Sequence, residues 1–365
     1  MKLLSFLHRW TGGIVGLLLA VIGLSGTVLL WEGSWVSLPG ADAPPTADPR
    51  VLGQVVSSAF DIAPDLSRIT FAGEEIGLHQ AIYADGSGAY LAHDGTLVDR
   101  WSSLWERPEL WLFELHHYLL LGDTGKTITG VLGIVLLIFG ITGLVLWWRT
   151  RKTFRFRLWP ARFTASAIVR HHRDLGAVAS PLLLIAAVTG SLMVFPAASS
   201  VILAPLSQAK EAPILPKDLH PAGAETDWQS VLTAANAVFP AAAPRRLMMP
   251  PEPGAPIAIR YRQAFEWTPN GRSYVWVDPG EAAVLAADDP ANGDAASAIV
   301  EKFYPVHAAK VGGWVWRLVM SFAGLALILL GLLASWSFWN SRLRSRYTEL
   351  AKSRVSSGRL PPSPP

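Results

Sequence analysis

Residues 127–148 read TITGVLGIVLLIFGITGLVLWW, a run without a single charge that ends in two tryptophans. At about 1.5 Å of rise per residue, a helix of this length crosses the roughly 30 Å hydrocarbon core of a bilayer. Working outward, three more uncharged stretches of similar length lie at 10–31, 175–195 and 318–339. Trp10, Trp31, Trp147, Trp148, Trp336 and Trp339 stand at their edges, where an amphipathic ring favours the headgroup level. The composition agrees: 51% of the 365 residues are hydrophobic and 16% charged, too apolar for a soluble multidomain chain. Zero cysteines exclude disulfides, thiolate-ligated or covalently attached haem, and iron–sulfur clusters held by this chain. The formal charge of +3 gives no reason to expect nucleic acid.

Charge placement predicts orientation. Residues 149–173 carry eight Lys or Arg and no acid, and 340–365 carry six against one Glu; with 1–9 these should be cytoplasmic. Residues 32–126 hold five bases against fourteen acids and 196–312 nine against twelve, so both should face outward. Within them, 51–60 reads as a helix followed by strands at 68–72, 80–84 and 89–92. The same order recurs as a helix at 227–239 and strands at 256–262, 273–277 and 282–286. The fold class predicted is an all-α four-helix transmembrane bundle with two inserted small α+β modules and an internal duplication. Its parts are a first span to residue 31, a module at 32–110, a second span with an outer extension at 111–148 and a basic loop at 149–173. A third span at 174–195, a second module at 196–305, a fourth span at 306–339 and a cytoplasmic tail at 340–365 complete it. The Pro- and Ser-rich end from Ser356 is expected to be disordered.

The duplication is most informative at the histidines. A shift of 164 places His8, Arg9, Gly12, Ser25 and Gly26 on His172, Arg173, Gly176, Thr189 and Gly190. A shift of 191 places His116, Gly122, Lys126, Gly140 and Gly143 on His307, Gly313, Arg317, Gly331 and Ala334. Each membrane helix is thus expected to begin with one His. A cleaved leader at 10–31 would have no reason to match the third span in this way. His117 and His171 fall out of register, against Ala308 and Leu7, and are expected to play secondary parts.

Helices that alternate in direction put His8 and His172 near the inner face and His116 and His307 near the outer. Two facing neutral imidazoles are what six-coordinate b-type haem iron requires, and bundle cores are where such sites are built. Gly12 and Gly176 lie four residues after their His, and Gly26 and Gly190 eighteen, on the same helical face. A stripe without side chains leaves room for a flat macrocycle or for a close helix, the latter being the ordinary use of small residues in bilayers. A divalent-metal site fits less well, since no acid within the spans accompanies the pairs.

At these residues the chain resembles a known family, the PepSY-associated transmembrane proteins, which include iron-regulated inner-membrane proteins and bacterial ferric-siderophore reductases. The motifs are Leu7-His8-Arg9-Trp10-Thr11-Gly12, Leu115-His116 with Leu119 to Lys126, His172-Arg173-Asp174-Leu175-Gly176 and Tyr304-Pro305-Val306-His307, closed by Ser25-Gly26, Thr142-Gly143 and Thr189-Gly190. Ala334 departs from the usual Gly. The resemblance implies a bacterial inner-membrane location and two b haems on His8, His172, His116 and His307, passing electrons outward. A cytoplasmic reductase or flavin would be the donor, because no flavin or nicotinamide domain follows the fourth span. A ferric siderophore or other ferric chelate is the expected acceptor. Arg245, Arg246, Arg260 and Arg262 are candidates to attract it if it is anionic. Two rival readings are a membrane-anchored PepSY module that binds a peptide or protease, and a component of a haem or iron transporter; four helices without a broken-helix pair make the second a poor alternating-access machine.

Overall fold

The computed structural model describes residues 2–250 and 252–356, with side chains to residue 343. Apart from short helical turns, the chain runs through α1 (Lys2–Leu29), α2 (Pro49–Ile62), β1 (Leu66–Thr70), β2 (His79–Tyr83), β3 (Gly88–Leu91), β4 (Leu97–Trp101), α3 (Pro108–Tyr118) and α4 (Gly122–Trp148). It then repeats that order as α5 (Ala165–Val194), α6 (Trp228–Val238), β5 (Ala243–Met248), β6 (Ile257–Arg262), β7 (Ser273–Val277), β8 (Val284–Asp288), α7 (Ala295–His307) and α8 (Gly313–Ser356). The Pro- and Ser-rich end that begins at Ser356 lies almost wholly outside the described residues. Two compact units result: one from the segments up to Leu30, Leu115–Val194 and from Trp314 on, the other from Trp31–Glu114 and Phe195–Gly313.

The first unit holds the four helices long and apolar enough to cross a membrane, α1, α4, α5 and the Gly313–Leu343 part of α8. Their shared core joins Leu19 of α1, Leu132 of α4, Leu175, Ala179 and Leu183 of α5, and Ala323, Ala326, Leu327 and Leu330 of α8. Glycines set the closest approaches. A Cβ on Gly16 would lie 2.7 Å from the Gly331 carbonyl oxygen, and one on Gly23 3.1 Å from that of Gly324, so α1 and α8 pack backbone to backbone and antiparallel. Gly140 likewise admits Leu184, placing α4 against α5.

One expectation changes here. His116 and His307 do not begin membrane helices; each sits in the last turn of a separate short helix, α3 or α7. Left-handed residues then reverse the chain: Leu119, Leu120 and Gly122 before α4, and Ala309, Gly312 and Gly313 before α8. Such conformations cost energy in non-glycine residues; Gly122 and Gly313 correspond in the shift of 191, so a break precedes the second long helix of each half.

The second unit overturns the all-α description of the chain and its two separate modules. Both inserted segments build one antiparallel sheet of eight strands in the order β4-β3-β2-β1-β5-β6-β7-β8. At its centre β1 pairs with β5, with Ile69 opposite Leu247. The physical reason is edge satisfaction: four strands alone would leave β1 as an edge with unpaired N–H and C=O groups, and its duplicate covers it. One face buries Ile69, Ala81, Leu247, Ile259 and Val275 under α2 and α6. Those helices carry the same pattern, Leu52, Val55, Val56 and Ala59 matching Trp228, Val231, Leu232 and Ala235, all within 1% of full burial.

Candidate functional site

In the membrane unit the early turns of α1 and α5 and the late turns of α4 and α8 surround a cavity of about 470 Å³, within the roughly 300–1,000 Å³ range of small-molecule sites. His8 and His172 both line it, with ring centroids 6.4 Å apart and planes at 84°. Two imidazoles bonded to one metal through nitrogens at roughly 2.0–2.1 Å have centroids about 6 Å apart, so this spacing suits a shared iron.

Hydrogen bonding settles the tautomer of His8. The Thr142 hydroxyl donates to the Ile138 carbonyl at 2.7 Å, so it can only accept from His8 Nδ1 at 2.8 Å. His8 Nε2 is left as a bare lone pair, the form that ligates metal, oriented by its partner as metal-binding histidines usually are. His172 has no such seat: its Nδ1 is buried without a hydrogen-bond partner. The duplication explains why. Thr142-Gly143, which seats His8, corresponds to Leu333-Ala334, where no hydroxyl exists.

The glycines divide into two kinds. Gly12, Gly143 and Gly176 line the cavity, and an added Cβ at each would make ordinary van der Waals contact, with Phe139 at 3.9, His8 at 3.6 and Leu330 at 3.8 Å, without a clash. At Gly26 the space is taken by His116: a Cβ there would lie 2.7 Å from the ring. His116 Nδ1 faces the Ile22 carbonyl at 3.1 Å and Ser25 Oγ at 3.1 Å. A carbonyl only accepts, so Nδ1 donates and Nε2 again carries the lone pair. Gly190 is half-buried in α5. His307 ends α7 in the sheet unit, whereas His116 belongs to the membrane unit. His117 packs its ring edgewise on His116, with centroids 5.3 Å apart, and His171 is buried with neither ring nitrogen partnered.

The four arginines separate as well. On the sheet face away from α2 and α6, Arg262 reaches Glu74 at 3.6 Å, and Arg245 donates to the Ala72 carbonyl at 3.2 Å. Arg246 lies directly opposite Arg260 across β5 and β6, and neither has a carboxylate within ion-pair distance among the described residues. Burial pulls the Arg246 guanidinium down to about 10, and the charges of Arg68 and Arg260 act in the same direction. Sequence reasoning missed Arg68, Phe139, Thr142's seating role, Tyr274 and Tyr304. Thr142 was visible in its Thr-Gly pair and Tyr304 in its motif with His307, whereas Arg68 and Tyr274 gave no signal without strand register and Phe139 none without the packing of the helices.

Four apolar spans, an inserted sheet unit and a histidine-lined cavity within the bundle define a duplicated membrane protein. The chain belongs to the PepSY-associated TM region family, whose model matches residues 6–341. No curated protein matches it.

Proposed function

We propose that the protein is an inner-membrane electron carrier that binds two b haems and delivers electrons from a cytoplasmic donor to a ferric chelate outside, releasing ferrous iron. The observation that carries this reading is the convergence of His8 and His172 on one cavity, with His8 held in its ligating tautomer by Thr142. The residues present fit the group: His172 has a buried, orphaned Nδ1, and Gly12, Gly143 and Gly176 keep a cradle that side chains would fill. His8 with His172 would hold one haem, and His116 would be a ligand of the other. A bound b haem supplies a one-electron ferric/ferrous couple. The chain itself supplies apolar walls that exclude water, such as Leu136, Phe139, Leu327 and Leu330, and hydrogen bonds that hold His8 and His116 in place. Exposed basic residues at 149–157 favour the cytoplasmic side for this end of the bundle. A ferric chelate needs only an electron, since hard-oxygen ligands hold ferrous iron less tightly than ferric.

The test is a reduced-minus-oxidised spectrum of the purified protein with a pyridine haemochrome ratio. Two low-spin haems per chain are expected. A ratio near zero from haem-replete cells would overturn the reading and leave the membrane-anchored peptide-binding module in its place.

A further inference from the structure

We infer that Pro196–Leu206 is an interfacial helix, seated at the boundary between the headgroups and acyl chains of a phospholipid bilayer. The stretch is apolar and helical throughout, a short helix at Pro196–Leu203 followed by a 3-10 turn at Ala204–Leu206. Its burial is the reverse of what a soluble domain shows. Ser199, a polar residue, is 4% exposed, whereas Val201 is 75%, Ile202 62% and Leu206 46% exposed. Two residues on a helix stand about 200° apart, so Val201 faces away from the buried serine. Single apolar residues on a surface are ordinary, but an uncharged helix with its serine inward and its branched aliphatics outward suits lipid and not water.

Continuity with α5 names the occupant. No charged residue occurs from Leu175 to Ala209, so the apolar run of that span extends past its last helical residue, Val194. Phe195, at φ −113° and ψ 75°, breaks the helix, and Pro196 opens a new one. At about 1.5 Å of rise per residue, Pro196–Leu206 reaches only about 16 Å, too short for the roughly 30 Å hydrocarbon core. An apolar helix that follows a span and cannot itself cross lies in the interface. Beyond it the chain is fastened to the sheet unit. The Asp294 carboxylate accepts from the Gln208 N–H at 2.7 Å and the Ser207 hydroxyl at 3.2 Å, and it caps α7 by accepting from the Ser297 N–H at 2.7 Å. Lys210, the first charged residue after Asp174, pairs with Asp288 at the end of β8. The segment also packs on α7, so what holds it holds the helix that ends in His307. The lipid contact requires the spans and is independent of any bound haem.

The chain has no cysteine, so a single introduced one is the sole labelling site. Full-length Val201→Cys, Ile202→Cys and Ser57→Cys, the last at an exposed position on α2, would each carry a nitroxide in vesicles of phosphatidylethanolamine and phosphatidylglycerol. All three positions are exposed, so the label replaces no packed side chain. Oxygen concentrates in the acyl chains, whereas a water-soluble nickel chelate stays outside them. The ratio of oxygen to nickel collision rates should be several-fold higher at 201 and 202 than at 57, and should place both labels roughly 5–10 Å into the boundary. The expectation is the same whether or not the preparation carries haem. Ratios at 201 and 202 equal to that at 57 would overturn the assignment and leave a helix facing water. Low collision rates with both reagents at 201 and 202, together with cross-linking of Val201→Cys between copies, would overturn it in favour of self-association.

Discussion

Replacing Gly12 and Gly176 together by leucine separates a cavity kept for a cofactor from ordinary helix packing. Neither position is crowded: the nearest atoms to an added Cβ are Phe139 at 3.9 Å and Leu330 at 3.8 Å. Two leucines therefore enter the space beside His8 and His172 without striking the backbone. Gly→Leu gains up to about 0.8–1 kcal/mol of helix propensity per site, so the melting temperature should hold or rise. A macrocycle, by contrast, would have to displace the new side chains, and overpacking of this kind costs about 1–3 kcal/mol per site. For two sites that is roughly 30- to 20,000-fold in affinity, enough to empty the inner site. Gly16→Leu is the contrasting variant, because its Cβ would meet the Gly331 carbonyl oxygen at 2.7 Å and force α1 from α8. The assay is the haemochrome ratio alongside a thermal melt. Gly12→Leu/Gly176→Leu should give one haem per chain at undiminished stability, whereas Gly16→Leu should lose stability. Two haems retained in the double variant would refute the cradle.

His8→Ala and His172→Ala should each remove one haem, while His117→Ala and His171→Ala leave both, as read by the same ratio. Burial holds the Glu32 carboxyl up at about 7, from an ordinary value of 4.5, with Glu75 and Glu109 adding to the rise against Lys310. The folded state then keeps a proton that the unfolded chain releases, so this contribution is full below about pH 4.5 and is lost as pH rises to 7. Melting temperatures between pH 5 and 8 should fall with rising pH, and Glu32→Gln should flatten the slope. Leu247→Ala, at the centre of the joined sheet, should cost about 2–5 kcal/mol and loosen both inserted segments together in hydrogen exchange. Loosening confined to 195–313 would show the halves to be independent.

The spans were legible because lipid demands long uncharged helices, and the duplication because matched residues recur at fixed shifts in His8 and His172, Gly26 and Gly190. Sequence could not show that the inserts share a sheet, since strand partners are set by pairing across the chain. β5 was hidden for a local reason: Ala243–Met248 holds Pro244 and two arginines and is bulged between Pro244 and Arg246, which blurs its alternation. β4 likewise mixes exposed Leu97 with buried Trp101. The breaks after His116 and His307 escaped notice because Leu119 and Leu120 carry no mark of left-handed backbone, although Gly122, Gly312 and Gly313 do. For the cavity, a four-residue spacing picked out Gly12 and Gly176, both of which line it, whereas Gly26, on the same helical face as Gly12, seats a histidine from another element.

Transmembrane delivery of electrons to a ferric chelate is tested most directly in sealed vesicles of known orientation. A reductant is confined to the cytoplasmic side, a ferric chelate is added outside, and an impermeant chelator outside traps ferrous iron. Ferrous iron should accumulate outside in step with haem reoxidation, and His8→Ala should abolish it while the outer haem remains bound. Haems that reoxidise with oxygen alone and never with a ferric chelate, or that accept electrons only from an outside donor, would contradict it.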